Sequence, residues 1–226
     1  MKKNYDFVKQ HRESLLIAAW GLLCFSLSIV RCAYTHDRLF LFLNWNLFLA
    51  FVPWVISKSA VMYYRKYNKK NFLIPLLIIW LFFFPNAIYI ITDLFHLRVQ
   101  ANLPLWFDLV LILSFAIAGL LSGFISLRNM EFILNQFIKQ KYMPFILTAI
   151  LFAGSFGVYI GRYLRYNTWD IIHNPLCLFT EIADRIIHFT SHPRTWAFTF
   201  LFGLFINMVY FSLRVFSYKK EKEFEA

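Results

Sequence analysis

Six apolar stretches, each long enough to cross a lipid bilayer, constrain this chain more than any other feature of its sequence. A helix rises about 1.5 Å per residue, so roughly 20 apolar residues cover a hydrocarbon layer of about 30 Å. We therefore predict an all-α membrane protein with six transmembrane helices. The stretches lie at residues 15–34, 39–57, 72–92, 105–127, 144–161 and 196–216.

The composition favours the same class of protein. Of the 226 residues, 60% are hydrophobic and only 15% are charged. A soluble domain has about 45–50% apolar and about 25% charged residues. This composition excludes an ordinary water-soluble globule and an intrinsically disordered chain. We expect a single polytopic membrane domain over residues 1–226.

The basic residues are distributed unequally between the two sets of loops. Sixteen of the 23 Lys and Arg residues lie in the N-terminus, in the loops after the second and fourth stretches, and in the C-terminal tail. Because loops rich in Lys and Arg stay in the cytoplasm, we predict that both termini are cytoplasmic in a plasma membrane. Arg31, at the outer end of the first stretch, is expected to extend its guanidinium to the interface.

The net charge of +11 does not indicate a nucleic-acid partner. Positive-inside topology accounts for the basic loops, and the same loops face anionic lipid head groups. Membrane lipids are therefore the expected partners, and the sequence identifies no protein partner.

Residues 175–190 have the pattern of an amphipathic helix outside the six stretches. Glu181, Asp184, Arg185 and His188 share one side of this pattern, and Asn174 followed by Pro175 is a helix start signal. The sequence predicts one outer interfacial helix. Two interpretations stay open, a surface helix that closes the bundle and a lid over an outer cavity. The apolar residues at helical spacing are Pro175, Leu176, Phe179, Ile182, Ala183, Ile186, Ile187 and Phe189.

Small residues recur at four-residue spacing in the fourth and fifth stretches. The fourth contains Gly119 and Gly123 beside a row of serines, and the fifth contains Gly157 and Gly161. Such residues let helix backbones approach closely in lipid. We expect these two spans to pack on each other.

Polar residues near the end of the third stretch form a stripe. Asn86, Tyr89, Asp93 and His96 stand at offsets of 0, 3, 7 and 10, which places them on one helix face. Pro85 removes a backbone donor, so a kink is expected there. Polar groups within membrane spans are costly and favour a functional interpretation.

Other spans contribute polar side chains at the same predicted outer end. They are Asn44, Asn46, Asp108, Arg162, Arg165 and Asp170. Together with the stripe they define a candidate site facing the outer leaflet.

The residue types in this site are those of anion binding and acid–base chemistry. Arg162 and Arg165 are one helical turn apart, so both are able to hold one phosphate or carboxylate. His96 and Asp93 form a candidate catalytic pair, a base with its orienting carboxylate. The predicted substrate-binding residues are Arg162, Arg165, Asn86, Asn46, Asp108, Tyr89 and Asp170.

Structural explanations stay open for each of these residues. Asp93 is alternatively the partner of Arg162 or Arg165 in an ion pair that fixes helix packing. Asp108 alternatively stabilises a helix N-terminus, where a negative charge meets the positive end of the helix dipole. Asn86 is able to satisfy a backbone group freed by Pro85.

No cofactor is expected, although Asp93, Asp108 and His96 are an alternative set of metal ligands. Cys32 and Cys177 both fall on the predicted outer side, so a disulfide is an alternative to isolated thiols.

Four segments resemble a family of uncharacterised bacterial membrane proteins, domain of unknown function 1361. The resemblance extends over about residues 36–216 and implies a bacterial inner-membrane protein, with no activity attached. The segments are NWNLFLA at 44–50, FPNAIYIITDLFHL at 84–97, WFDL at 106–109 and GRYLRYNTWD at 161–170.

These observations favour a membrane enzyme that acts on a lipid-linked or anionic amphiphile at the outer leaflet, although they do not establish an enzyme. A transporter or flippase component is one alternative, and a non-catalytic assembly partner is another. A transporter requires a polar path to the cytoplasmic end, and the inner halves of the spans are almost entirely Leu, Ile and Phe.

Overall fold

The computed structural model describes residues 2–98, 104–166, 173 and 175–223, and the regular structure within these ranges is helical. Short 3-10 helices occupy Ile90–His96, Gln140–Tyr142 and Phe189–Ser191. The α-helices are α1 Lys2–Thr35, α2 Phe42–Tyr67, α3 Leu73–Tyr89, α4 Leu105–Leu134, α5 Met143–Tyr163, α6 Pro175–Ile187 and α7 Pro193–Glu223.

Six helical segments are long and apolar enough to span a membrane. Each of them contains or overlaps one of the six predicted stretches, so the predicted class of a membrane-embedded, all-α protein with six spans is confirmed. The segments are Arg12–Thr35, Phe42–Tyr67, Leu73–His96, Leu105–Leu134, Gln140–Tyr163 and Pro193–Val215.

Several helices extend beyond the apolar stretches that predicted them. α1 begins at Lys2, and α4 continues to Leu134. An apolar stretch is only as long as the hydrocarbon layer requires. The helix that contains it continues into the polar sequence on either side until a residue leaves the helical conformation. α2 ends in this way at Asn68, which is left-handed at φ 51° and donates its N–H to Tyr64.

The helices group into two compact units, Met1–Gln136 and Phe137–Ala226. In the first unit, α4 is the central helix, with 61% of its apolar window buried, and it packs against α1, α2 and α3. In the second unit, α5 packs against α7.

Two glycines bring α4 close to α3. A Cβ on Gly119 would clash with Ile90 and lie 3.0 Å from the carbonyl oxygen of Ala87. A Cβ on Gly123 would lie 2.8 Å from the Cβ atom of Ala87. These two glycines therefore let α3 approach α4 closely, whereas the spacing of the small residues predicted the fifth span as their partner.

An aromatic interface joins α5 to α7 in the second unit. The ring of Phe156 stacks on Trp196 at 5.7 Å, and that of Phe152 stacks on Phe200 at 6.1 Å. A Cβ on Gly203 would clash with the Phe152 ring, so glycine is needed where α7 meets α5.

A buried apolar cluster lies where α1, α2, α4 and the 3-10 helix Ile90–His96 meet. This cluster supports the 3-10 helix, which contains the two predicted catalytic residues. Its buried members are Cys24, Phe40, Leu43, Leu47, Ile90, Leu111, Ile112, Phe115 and Ala118.

Candidate functional site

Asp93 and His96 lie on the 3-10 helix that continues α3. α3 contains Pro85 and ends at Tyr89, where the backbone tightens from 3.6 to about three residues per turn. Side chains three apart eclipse in a 3-10 helix, so Asp93 and His96 project from the same side.

Asp93 is a buried carboxylate at the end of a membrane span, with 1% of the residue exposed. Nδ2 of Asn46, on α2, donates a hydrogen bond to Oδ2 of Asp93 at 2.8 Å. Asn46 and Asp93, both predicted site residues, are thus brought together across 47 positions of sequence.

His96 is the accessible partner of this buried carboxylate, with 42% of its side chain exposed. Its Nδ1 lies 3.3 Å from the backbone oxygen of Asp93 and 3.9 Å from Oδ1. A carbonyl oxygen only accepts, so a hydrogen bond at this contact has Nδ1 as its donor. The His96 ring also contacts the Phe42 ring, with centroids 5.0 Å apart.

Asp108 forms a buried ion pair with Arg31. Nε of Arg31 donates to Oδ1 at 2.8 Å and Nη2 to Oδ2 at 3.5 Å. The Arg31 guanidinium lies 4.3 Å from the centre of the Phe40 ring. Arg31 is 1% exposed, so its guanidinium is buried against protein, and its depth relative to the membrane interface stays a prediction.

Two of the predicted polar residues bond to nearby groups. Nδ2 of Asn86 donates to the carbonyl of Phe83 at 3.0 Å, whereas the carbonyl that Pro85 frees is that of Leu81. Asn44 donates to the hydroxyl of Ser28 at 2.8 Å, which links α2 to α1. Tyr89 is half-buried at the end of α3.

Arg162 and Arg165 belong to the second unit. α5 ends at Tyr163, and Arg165 follows it in the left-handed conformation at φ 60°. The helical spacing that places two side chains on one face therefore does not extend from Arg162 to Arg165. Their joint hold on an anion stays a prediction, and the predicted residue Asp170 lies outside the described residues.

A carboxylate with two histidines was missed by the sequence analysis. Asp184 contacts Nδ1 of His188 at 2.9 Å through Oδ1 and Nε2 of His192 at 2.7 Å through Oδ2. Hydrogen bonds from these two rings lower the pKa of Asp184. The spacing of four residues from Asp184 to His188 was the available signal. His192 lies beyond the end of α6 at Ile187, so helical spacing did not indicate it.

Neither a metal-ligand cluster nor a disulfide is present among the described residues. Within the described ranges, no group of three or more His, Cys, Asp and Glu residues is arranged to hold a metal ion. The alternative ligand set fails because Asp108 faces Arg31. Cys24, Cys32 and Cys177 are free thiols, so the disulfide considered above is not formed.

Comparison with known proteins gives one match. A family model described as "Protein of unknown function (DUF1361)" matches residues 45–209, more than half of the chain. No curated protein and no solved structure matches the chain.

Proposed function

This chain belongs to the DUF1361 family of proteins of unknown function, and from that premise we propose that it is an enzyme of a bacterial plasma membrane. Both termini are cytoplasmic in this proposal, because the loops on their side carry most of the Lys and Arg residues. The site that contains Asp93 and His96 then lies at the outer end of the spans.

The single observation that carries the proposal is the pairing of a buried carboxylate with an accessible imidazole. Asp93 is 1% exposed, whereas the His96 side chain is 42% exposed. Ionisable groups in membrane spans are costly and mark functional sites. An oriented imidazole beside a carboxylate is the arrangement of a general base.

Each residue has a stated role in the proposed reaction. Nε2 of His96 accepts a proton from water or from a substrate hydroxyl, while Asp93 stabilises the imidazolium and Asn46 holds Asp93 in place. Arg162 and Arg165, which belong to the second unit, stay a separate predicted pair for binding an anion.

The remaining site residues of the first unit have supporting roles in the proposal. Asn86 and Tyr89 position the substrate. Asp108 positions α4 through Arg31, since both of its carboxylate oxygens face that guanidinium.

The proposed substrate is a lipid-linked or otherwise anionic amphiphile. Phe95, next to His96, is 60% exposed, and Trp45 and Phe48, near Asn46 on α2, are 53% and 56% exposed. Large apolar side chains at the end of a span suit contact with an acyl or isoprenoid chain that arrives from the bilayer.

The polar residues along α4 give little support to a transport path. Ser122 donates to the carbonyls of Ala50 and Gly119, and Ser126 donates to that of Gly123. These hydroxyls serve helix packing, so the enzyme stays the favoured function over a transporter.

The test is a comparison of the lipids of cells with the protein, without it, and with a His96→Gln variant. Glutamine keeps hydrogen-bonding capacity but removes the base. We expect a lipid or lipid-linked glycan to accumulate on deletion, and to stay high with His96→Gln protein that is present and folded in the membrane.

Either of two results would refute the proposal. If the His96→Gln protein restored the normal lipid pattern, His96 would have no catalytic role. A lipid pattern unchanged by deletion would favour transport or assembly, with copurification as the next measurement.

A further inference from the structure

The burial pattern of α6 is the reverse of that expected for a helix on a water-exposed surface. Five apolar residues and Thr180 are exposed on one face, whereas Arg185, the basic residue in the last turn, is buried at 8% exposure beside its ion-pair partner Glu181, as is Leu178. The helix thus buries a cation and leaves most of its apolar side chains exposed. The five exposed apolar residues are Leu176, Phe179, Ala183, Ile186 and Ile187.

Two hydrogen bonds fix α6 at the level where the last span begins. Nε1 of Trp196 donates to the carbonyl oxygen of Arg185 at 3.1 Å. His192 contacts the carboxylate of Asp184 at 2.7 Å. Trp196 lies in the first turn of the segment Pro193–Val215, so the C-terminal half of α6 lies beside one end of that membrane span.

The last membrane span, whose first turn contacts α6, exposes large apolar side chains. On α7, Phe200 and Leu201 are 60% and 65% exposed and lie within the apolar window of the span. The exposed residues of α6 have the same chemistry, with 83% exposure at Leu176 and 70% at Ile187.

We infer that α6 is a lipid-binding helix whose exposed apolar face inserts at the boundary between lipid head groups and acyl chains. Amphipathic helices that lie on a membrane bury their apolar face about 5–10 Å into this boundary. Asp184, His188 and Cys177 lie on the flank that faces water. The inference is independent of the enzymatic proposal, because it rests only on contacts within the second unit.

The test uses the full chain in vesicles of phosphatidylethanolamine and phosphatidylglycerol, with one spin label at a time. Labels are placed on the apolar face by Phe179→Cys and Ile186→Cys, with the native cysteines replaced. Native Cys177 is the matched water-facing control on the same helix, and Leu201→Cys is the lipid-facing control on α7.

Collision with oxygen and with a water-soluble nickel chelate reports the surroundings of each label. We expect the labels at 179 and 186 to favour oxygen, like that at 201, and the label at 177 to favour nickel. If a variant elutes differently from the unlabelled protein, Leu176→Cys replaces it on the same face.

Two results would overturn the inference. Nickel accessibility at 179 and 186 equal to that at 177 would place the face in water, as for a mobile lid. Low collision with both reagents would show that protein, a second copy or another partner, covers it.

Discussion

Arg31 and Asp108 meet 2.8 Å apart with about 2% of each side chain exposed, although 77 positions separate them in the sequence. The pair joins the end of α1 to the first turn of α4. Because the 3-10 helix with Asp93 and His96 packs against α4, this ion pair supports the element on which the candidate site is built.

Removal of one partner of this pair is expected to destabilise the protein strongly. Asp108→Asn removes the carboxylate charge that Nε and Nη2 of the buried Arg31 face, which is expected to cost about 3–5 kcal/mol. The matched control is Glu13→Gln, since the pair between Glu13 and Arg128 is partly exposed and contributes about 0–1 kcal/mol. Unfolding in SDS measures both losses, and equal losses would contradict the structural role of Arg31 and Asp108.

Asn44 and Asn46 are two half-buried asparagines on α2 with different partners. Asn46→Leu removes a hydrogen bond to the Asp93 carboxylate, which is expected to cost about 1.5–3 kcal/mol and to cause the same lipid accumulation as deletion of the protein. Asn44→Leu removes a bond to the neutral Ser28, which costs about 0.5–1.5 kcal/mol. Lipid analysis of both variants separates the roles, and an unchanged pattern with Asn46→Leu would exclude Asn46 from the site.

Substitution of Gly119 tests the close approach of α4 to α3. A Cβ there clashes with Ile90 at the start of the 3-10 helix, so Gly119→Ala is expected to cost about 1–3 kcal/mol and to impair the site. Gly21→Ala is the control, because its Cβ would lie 3.5 Å from Phe51, an ordinary contact. Thermal unfolding in detergent measures the difference, and a Gly119→Ala protein as stable as Gly21→Ala would contradict the packing described.

The attachment of α6 is expected to weaken in acid. The pKa of Asp184 is lowered from 3.8 because His188 and His192 donate hydrogen bonds to the carboxylate. Because the pKa is lowered in the folded protein, the stabilisation is complete above pH 3.8 and is lost as the pH falls through the lowered pKa of Asp184. A spin label on Cys177 should therefore become more mobile once the pH is below that lowered pKa.

The control for this titration is Asp184→Asn. An amide does not titrate, so the label on Cys177 should then have the same mobility at every pH. A pH-dependent change that persists in Asp184→Asn would assign the effect to another group.

The sequence predicted the spans well because the bilayer sets a fixed apolar length. All six stretches fall within or overlap the observed spans, and the amphipathic pattern near Pro175 is the helix α6. Helix ends were predicted less well, since α1 begins before the apolar residues and α4 continues past them.

The partners of the polar residues were the least predictable part. The offsets in one span placed Asp93 beside His96, but the pairing of Asp108 with Arg31 depends on how α1 packs against α4. A sequence pattern within one helix contains no information on which neighbour faces it. Arg165 illustrates a second limit. The spacing from Arg162 assumed that the helix continues to Arg165, whereas α5 ends at Tyr163.

The separation of 77 residues between Arg31 and Asp108 also has a consequence for biosynthesis. At about 5–20 residues per second, a ribosome needs roughly 4–15 s to reach the counterion after Arg31 has been made. During that interval the first span has been made and the Asp108 carboxylate has not. The contact that joins the end of α1 to α4 therefore forms only after α4, three spans later, has been synthesised.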